Sequence, residues 1–78
     1  MNIKLIISDN CDACNRAKAV IEDIKANGYE FDVETIHINA FTDKRILITI
    51  TPALLIDDKL YSYGDIDEQR LLHKIGKC

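Results

Sequence analysis

The chain has 78 residues, enough for one domain that buries about 60 to 65% of the surface its unfolded form exposes, so the core is modest and large internal cavities are not expected. Its 13 acidic and 10 basic side chains give a formal charge of −3 without a basic run, which excludes the electrostatic footprint of a nucleic-acid or anionic-membrane binder. The early apolar run at residues 3–7 is too short for a signal-peptide core or a spanning helix; a cytoplasmic protein is expected, where thiols stay reduced and a close cysteine pair points to catalysis or metal binding rather than to a structural staple.

In chain order, "IKLII" at residues 3–7 is rich in β-branched side chains and predicts a strand buried on both faces in the middle of a sheet. The polar "SDN" ends it. From Asp12 to about Asn27, Ala13, Ala17, Val20, Ile21 and Ile24 fall on one helical face and Asp12, Asn15, Arg16, Glu22 and Lys25 on the other, with Asn27 and Gly28 as the stop. "YEFDVETIHI", residues 29–38, predicts a second strand, and a strand, a helix and a strand in this order make a parallel βαβ unit with a right-handed crossover.

Residues 41–47 carry Thr42 and Asp43 as caps and are expected to form a short helix. "PALLIDDKLYSY", residues 52–63, predicts a hairpin turning at Asp57 and Asp58. Tyr61 and Tyr63 alternate with Leu60 and Ser62 and are expected to share one face as sheet packing. Gly64 breaks the hairpin, Asp65 with Glu68 forms a capping box for a last helix, Ile66, Leu71, Leu72 and Ile75 give its apolar side, and Gly76 stops it. The predicted order is β, α, β, short α, β, β, α, with no repeat or linker.

Chemistry concentrates in "SDNCDACNRAK", residues 8–18. A thiol at the first turn of a helix faces unpaired backbone N–H groups and the positive end of the helix dipole, both of which favour its thiolate. Cys11 sits at that cap and is nucleophilic if the thiolate forms near neutral pH. Cys14, one turn on, shares a side with Ala17 and Ile21 and is expected to be more buried. An exposed attacker with a sheltered resolver is what dithiol exchange requires, although a zinc half-site and incidental packing are also compatible with the spacing. Asp12 opposes ionisation of Cys11 and Arg16 partly offsets it, which suits a reductant.

The second motif is Thr51-Pro52, ahead of the hairpin. Cys-X-X-Cys opening the first helix, then Thr-Pro leading into a hairpin, then Gly and a last helix, resembles the thioredoxin superfamily over nearly the whole chain, and within it the small glutaredoxin-sized redox proteins of bacteria and archaea. The resemblance implies an α/β thioredoxin-like fold, a mixed four-stranded sheet with helices on both faces. It also implies a cis Thr51–Pro52 bond beside the cysteines, Thr51 pairing its backbone with an extended partner segment, and a single domain over residues 1–78. The function implied is a thiol–disulfide oxidoreductase with Cys11 attacking and Cys14 resolving. It needs no cofactor beyond its own disulfide and no metal, and serves a protein disulfide substrate and a reductase as a monomer.

The departures are informative. The chain has no Trp and no carboxylate on the first strand, so the proton acceptor for Cys14 is unassigned. Before Cys11 stand Ser8, Asp9 and Asn10 rather than a basic residue, and only Gly64 and Asp65 echo a glutathione-holding segment, so glutathione is disfavoured as substrate.

Other readings remain beside it. Soft-metal chaperones for copper or zinc also place Cys-X-X-Cys between a first strand and helix, but run βαββαβ and end in a strand. Zinc held by Cys11, Cys14, His73 and Cys78 has acceptable ligand types across an unusually long gap. A redox-inactive docking domain would keep the fold without the reactivity. His37 is expected to be structural, and Cys78 a free surface thiol, with resolution of a mixed disulfide or pairing with a second molecule as its functional version.

Overall fold

The computed structural model describes residues 2–43 and 45–76. Strand β1 (Asn2–Ile7) leads through a short loop into helix α1 (Asp12–Ala26), which returns the chain to strand β2 (Asp32–His37). After a single 3₁₀ turn at Ile38–Ala40, strands β3 (Ala53–Ile56) and β4 (Lys59–Tyr63) form the hairpin, and helix α2 (Glu68–Gly76) follows. The sheet order is β2-β1-β3-β4. β1 and β2 are parallel in register from Asn2 opposite Asp32 to Ile7 opposite His37, and β3 is antiparallel to both β1 and β4. The βαβ unit, the hairpin and the α/β class are as expected.

The alternation of side chains along the two central strands divides the core in two. Ile3 and Leu5 of β1, with Leu54 and Ile56 of β3, point to the side on which α1 contributes Ala17, Ile21 and Ile24 and α2 contributes Leu71. Ile6, Ala53 and Leu55 point to the other side. β1 is thus buried on both faces, and its continuous apolar run has that cause.

Both α-helices cover the same face, which corrects the expectation of helices on both. The opposite face is closed by Ile36, Ile38, Phe41, Ile46, Ile48 and Leu60, several of them from the connection 38–50. The helix expected at 41–47 does not form among the described residues. Asp43 does not start a helix; its carboxylate accepts from the Arg45 backbone N–H at 3.0 Å and from the Arg45 guanidinium at 3.0 and 2.9 Å, a local turn that competes with helical bonding. Beyond it Ile46 and Ile48 are half-buried between exposed neighbours, a period of two that fits extended chain and not a helix.

Side-chain hydrogen bonds from Arg45, followed by its backbone N–H, hold the Asp43 carboxyl down at about 2. A carboxyl that titrates lower in the folded than in the unfolded chain stabilises above about pH 4, and that contribution is lost as pH falls toward 2. Asp43→Asn is therefore expected to lower the urea midpoint at about pH 6, with the difference from the parent closing by about pH 2. Urea melts of both proteins across that range check it.

Element ends show why the neighbours sit where they do. α1 ends with the Asn27 N–H on Asp23 and Ile24 carbonyls and the Gly28 N–H on Lys25, with Gly28 at φ +96°, a conformation that suits glycine. α2 is capped by Asp67, whose carboxylate accepts from the Arg70 N–H at 3.2 Å and whose carbonyl accepts from the Leu71 N–H at 3.0 Å. The Asp65–Glu68 capping box is therefore corrected: the capping carboxylate is two residues later, and Asp65 is engaged elsewhere. At the hairpin turn Asp57 and Asp58 both take positive φ, the backbone that a two-residue primed turn demands. The Asp58 carboxylate pairs with Lys4 Nζ at 2.6 Å and raises the lysine's pKa.

A register shift between Leu54 and Leu55 against β4 corrects the pairing of the two tyrosines. Tyr63 lies opposite Ala53 and Leu60 opposite Leu55, both partners pointing away from the helices. Tyr61 instead lines a groove with Gln69, Arg70, His73 and Lys74 of α2. The extra residue of the bulge is Tyr61 itself, which has no register partner between Leu60 and Ser62, so the simple alternation no longer holds.

Candidate active site

The end of β1 and the start of α1 are joined by residues 8–11, with Asn10 at φ +53° turning the chain. Cys11 is the N-cap of α1, its backbone still extended at φ −115°, ψ 101°. Its Sγ accepts the backbone N–H of Cys14 at 3.0 Å, one of the helix's otherwise orphaned donors. Cys14 is 2% exposed, on the face that carries Ala17, Ile21 and Ile24, while Cys11 is only partly covered. The Cα atoms are 5.2 Å apart and the two sulfurs are joined as a disulfide. The division between a reachable and a sheltered sulfur follows directly from the helix: position 11 precedes its first turn, and position 14 is the first residue facing the sheet.

Thr51 and Pro52 arrive from the far end of the sequence because β3 runs antiparallel beside β1, so its first residues meet the last residues of β1. The Thr51–Pro52 peptide is cis and Pro52 is fully buried. Cys11 Sγ lies 3.9 Å from the Thr51 carbonyl oxygen and 4.0 Å from Thr51 Oγ1. The Pro52 carbonyl accepts the Gly64 N–H at 2.7 Å, with Gly64 at φ +72°, which ties the hairpin's exit to its entrance. Cys11, Cys14, Thr51 and Pro52 are thus gathered at one end of the sheet.

Three further contacts frame this end. Ser8 Oγ and Thr51 Oγ1 are 2.6 Å apart and partly buried. His37 Nε2 meets the Asp9 carboxylate at 3.2 Å while its Nδ1 accepts the Asn39 N–H, so the ring fastens the loop before Cys11 to the end of β2; the structural role expected for His37 is what its contacts describe. Arg16 gives Nε to Asp65 at 2.9 Å and Nη2 at 3.3 Å, and this hydrogen bond and the carboxylate's charge raise the arginine's pKa. Its charge is therefore shared with Asp65 and is weaker as an offset to Asp12 than the sequence implied. Ser8 had no sequence signal at all, since a serine ending a strand is unremarkable until its partner is known.

Among the described residues no group of three or more His, Cys, Asp or Glu side chains is placed to hold a metal. His73 is exposed on α2, and Cys78 lies outside the described residues, as do the roles expected of it. No helix among them is long and apolar enough to cross a membrane.

A cysteine-capped helix leaving a central strand, with a cis-proline beside it at the head of an antiparallel hairpin, defines a thioredoxin-like α/β fold. A family model described as "Thioredoxin domain" matches residues 1–77, and the chain belongs to that family. No curated protein matches it.

Proposed function

We propose that the protein is a thiol–disulfide oxidoreductase that reduces or exchanges protein disulfides through Cys11 and Cys14. The observation that carries this reading is the pair itself: a partly exposed sulfur at a helix N-cap, hydrogen-bonded to the Cys14 N–H, next to a nearly inaccessible sulfur within disulfide reach. In the reduced protein the Cys11 thiolate attacks one sulfur of the substrate disulfide, and the displaced sulfur leaves as a thiolate that takes a proton from water. Cys14 then loses its proton and attacks Cys11, which closes the Cys11–Cys14 disulfide and releases the second substrate thiol. The substrate gains two electrons and two protons, one proton from water and one from Cys14, while the protein, starting as the Cys11 thiolate, loses two electrons and the Cys14 proton.

Thr51 and Pro52 shape the groove. The Thr51 carbonyl, 3.9 Å from Cys11 Sγ, is offered to an N–H of an extended partner segment, which lays the partner's sulfur beside Cys11. Asp9 and Asp12, both exposed on either side of Cys11, repel an anionic tripeptide such as glutathione and favour a protein substrate. No cofactor is required; a reductase or a small dithiol resets the pair, and the chain works as a cytoplasmic monomer.

Reduction of insulin disulfides, with dithiothreitol as the recharging dithiol, tests the activity. The parent is expected to shorten the lag before the insulin B chain precipitates, and Cys11→Ser to return it to the uncatalysed lag. Equal rates for parent and variant would overturn the assignment.

A further inference from the structure

We propose that Ser8 is a positioning residue for the attacking thiolate: its hydroxyl holds Thr51 Oγ1 so that the Thr51 O–H donates to the Cys11 sulfur once the disulfide is reduced. This rests on the oxidoreductase reading above. The two hydroxyls are 2.6 Å apart and partly buried, and Thr51 Oγ1 stands 4.0 Å from Cys11 Sγ. Both are held by backbone. Ser8 directly follows the central strand β1, and Thr51 directly precedes the buried Pro52.

The direction of the chain follows from proton counting. A hydroxyl pair can be bonded either way round, and beside a neutral disulfide sulfur, a weak acceptor, neither way is enforced. A thiolate only accepts. When Cys11 carries the charge, the Thr51 proton turns to it, and the Thr51 oxygen is left to accept from Ser8. The order Ser8 to Thr51 to Cys11 is then fixed, with a charge-assisted bond at its end that the first bond strengthens. No bond is made or broken and no electron moves; the pair acts on the balance between thiol and thiolate. It opposes two groups that favour the protonated thiol, the Thr51 carbonyl 3.9 Å from the sulfur and the neighbouring Asp12.

The test is a pH titration of the Cys11 thiolate by its ultraviolet absorbance in the reduced parent, Ser8→Ala, Ser8→Thr, Thr51→Val and the double variant Ser8→Ala/Thr51→Val. Ser8→Ala and Thr51→Val are each expected to raise the Cys11 pKa by about half to one unit, so that the thiolate fraction at neutral pH falls about three- to tenfold. The double variant is expected to shift no further than the larger single one, because the two hydroxyls act in series, and Ser8→Thr to retain the parent value. At a pH above the Cys11 pKa of both parent and variant, the equilibrium with a reference dithiol should move three- to tenfold toward a more reducing protein, about 15 to 30 mV at roughly 30 mV per tenfold.

An unchanged Cys11 pKa in either Ser8→Ala or Thr51→Val overturns the proposal, and so does additivity in the double variant. The two readings fail separately. A parent that exchanges electrons while Ser8→Ala titrates like it removes only the role of Ser8, whereas a parent whose cysteines never exchange removes the oxidoreductase reading whatever the titration shows.

Discussion

With serine in place of Cys14 the protein is expected to stop at the mixed disulfide. Cys11 keeps its place at the helix cap and its attack on a partner disulfide, but the residue one turn on, 2% exposed and next to it in space, no longer has a sulfur to displace the bound substrate. Turnover of insulin reduction falls toward the level of Cys11→Ser, and when the pre-reduced variant meets insulin without dithiothreitol a covalent adduct accumulates on Cys11, read as added mass on the intact protein and released by added dithiothreitol. Cys11→Ser gives neither turnover nor adduct. Because Cys14 is also part of the packed face of α1, the serine variant is a little less stable, and the adduct distinguishes lost chemistry from lost fold.

Leu71→Ala is expected to produce the largest loss of stability of any single truncation in α2. Leu71 is fully buried and is the one buried side chain among the described residues of that helix, with Ile66, Leu72 and Ile75 only partly covered against the same core. A helix of nine residues is not stable alone in water, so its order depends on this attachment. Truncating a buried leucine costs about 2 to 5 kcal/mol, against roughly 4 to 12 kcal/mol for a domain of this length at about 0.05 to 0.15 kcal/mol per residue. Leu72→Ala, at a half-buried position, is expected to lower the urea midpoint by less than half as much. Equal effects would mean that α2 is held by its rim and not by Leu71.

The parts of the molecule that declare themselves locally were legible in the sequence. The run at 3–7, the helical face through Ala17, Ile21 and Ile24, and the two short runs around Asp57 and Asp58 each carry their own period, and each became the expected element. The helix expected at 41–47 did not form among the described residues because the Asp43 carboxylate is taken up by Arg45, and the alternating burial of Ile46 and Ile48 is hidden in the sequence by Leu47 between them. The start of α2 slipped from Asp65 to Asp67 because the demand of Arg16, far away in sequence, took the first carboxylate. The bulge that separates Tyr61 from Tyr63 depends on how β4 meets β3, which neither strand encodes alone.

The candidate site divides the same way. Cys11 and Cys14 were legible from helix geometry, because three residues span one turn. Thr51 and Pro52 were found only through a family resemblance, and the antiparallel pairing of β3 with β1 is what brings them to the cysteines. Ser8 was invisible, since a hydrogen bond to a residue 43 positions away leaves no mark on either local pattern. The same holds for Asp9 and His37, which meet only because β2 lies beside β1.

If Cys11 and Cys14 exchange electrons as proposed, they form one two-electron couple. Metal-free protein equilibrated across a series of dithiol/disulfide buffers, trapped with an alkylating agent and weighed intact, counts the free thiols at each potential. Two labels are expected to disappear together, with a midpoint at roughly −200 to −300 mV, where cytosolic thiol carriers lie, and Cys78→Ser to titrate in the same way. Labels lost one at a time, or a transition that requires Cys78, would contradict this couple.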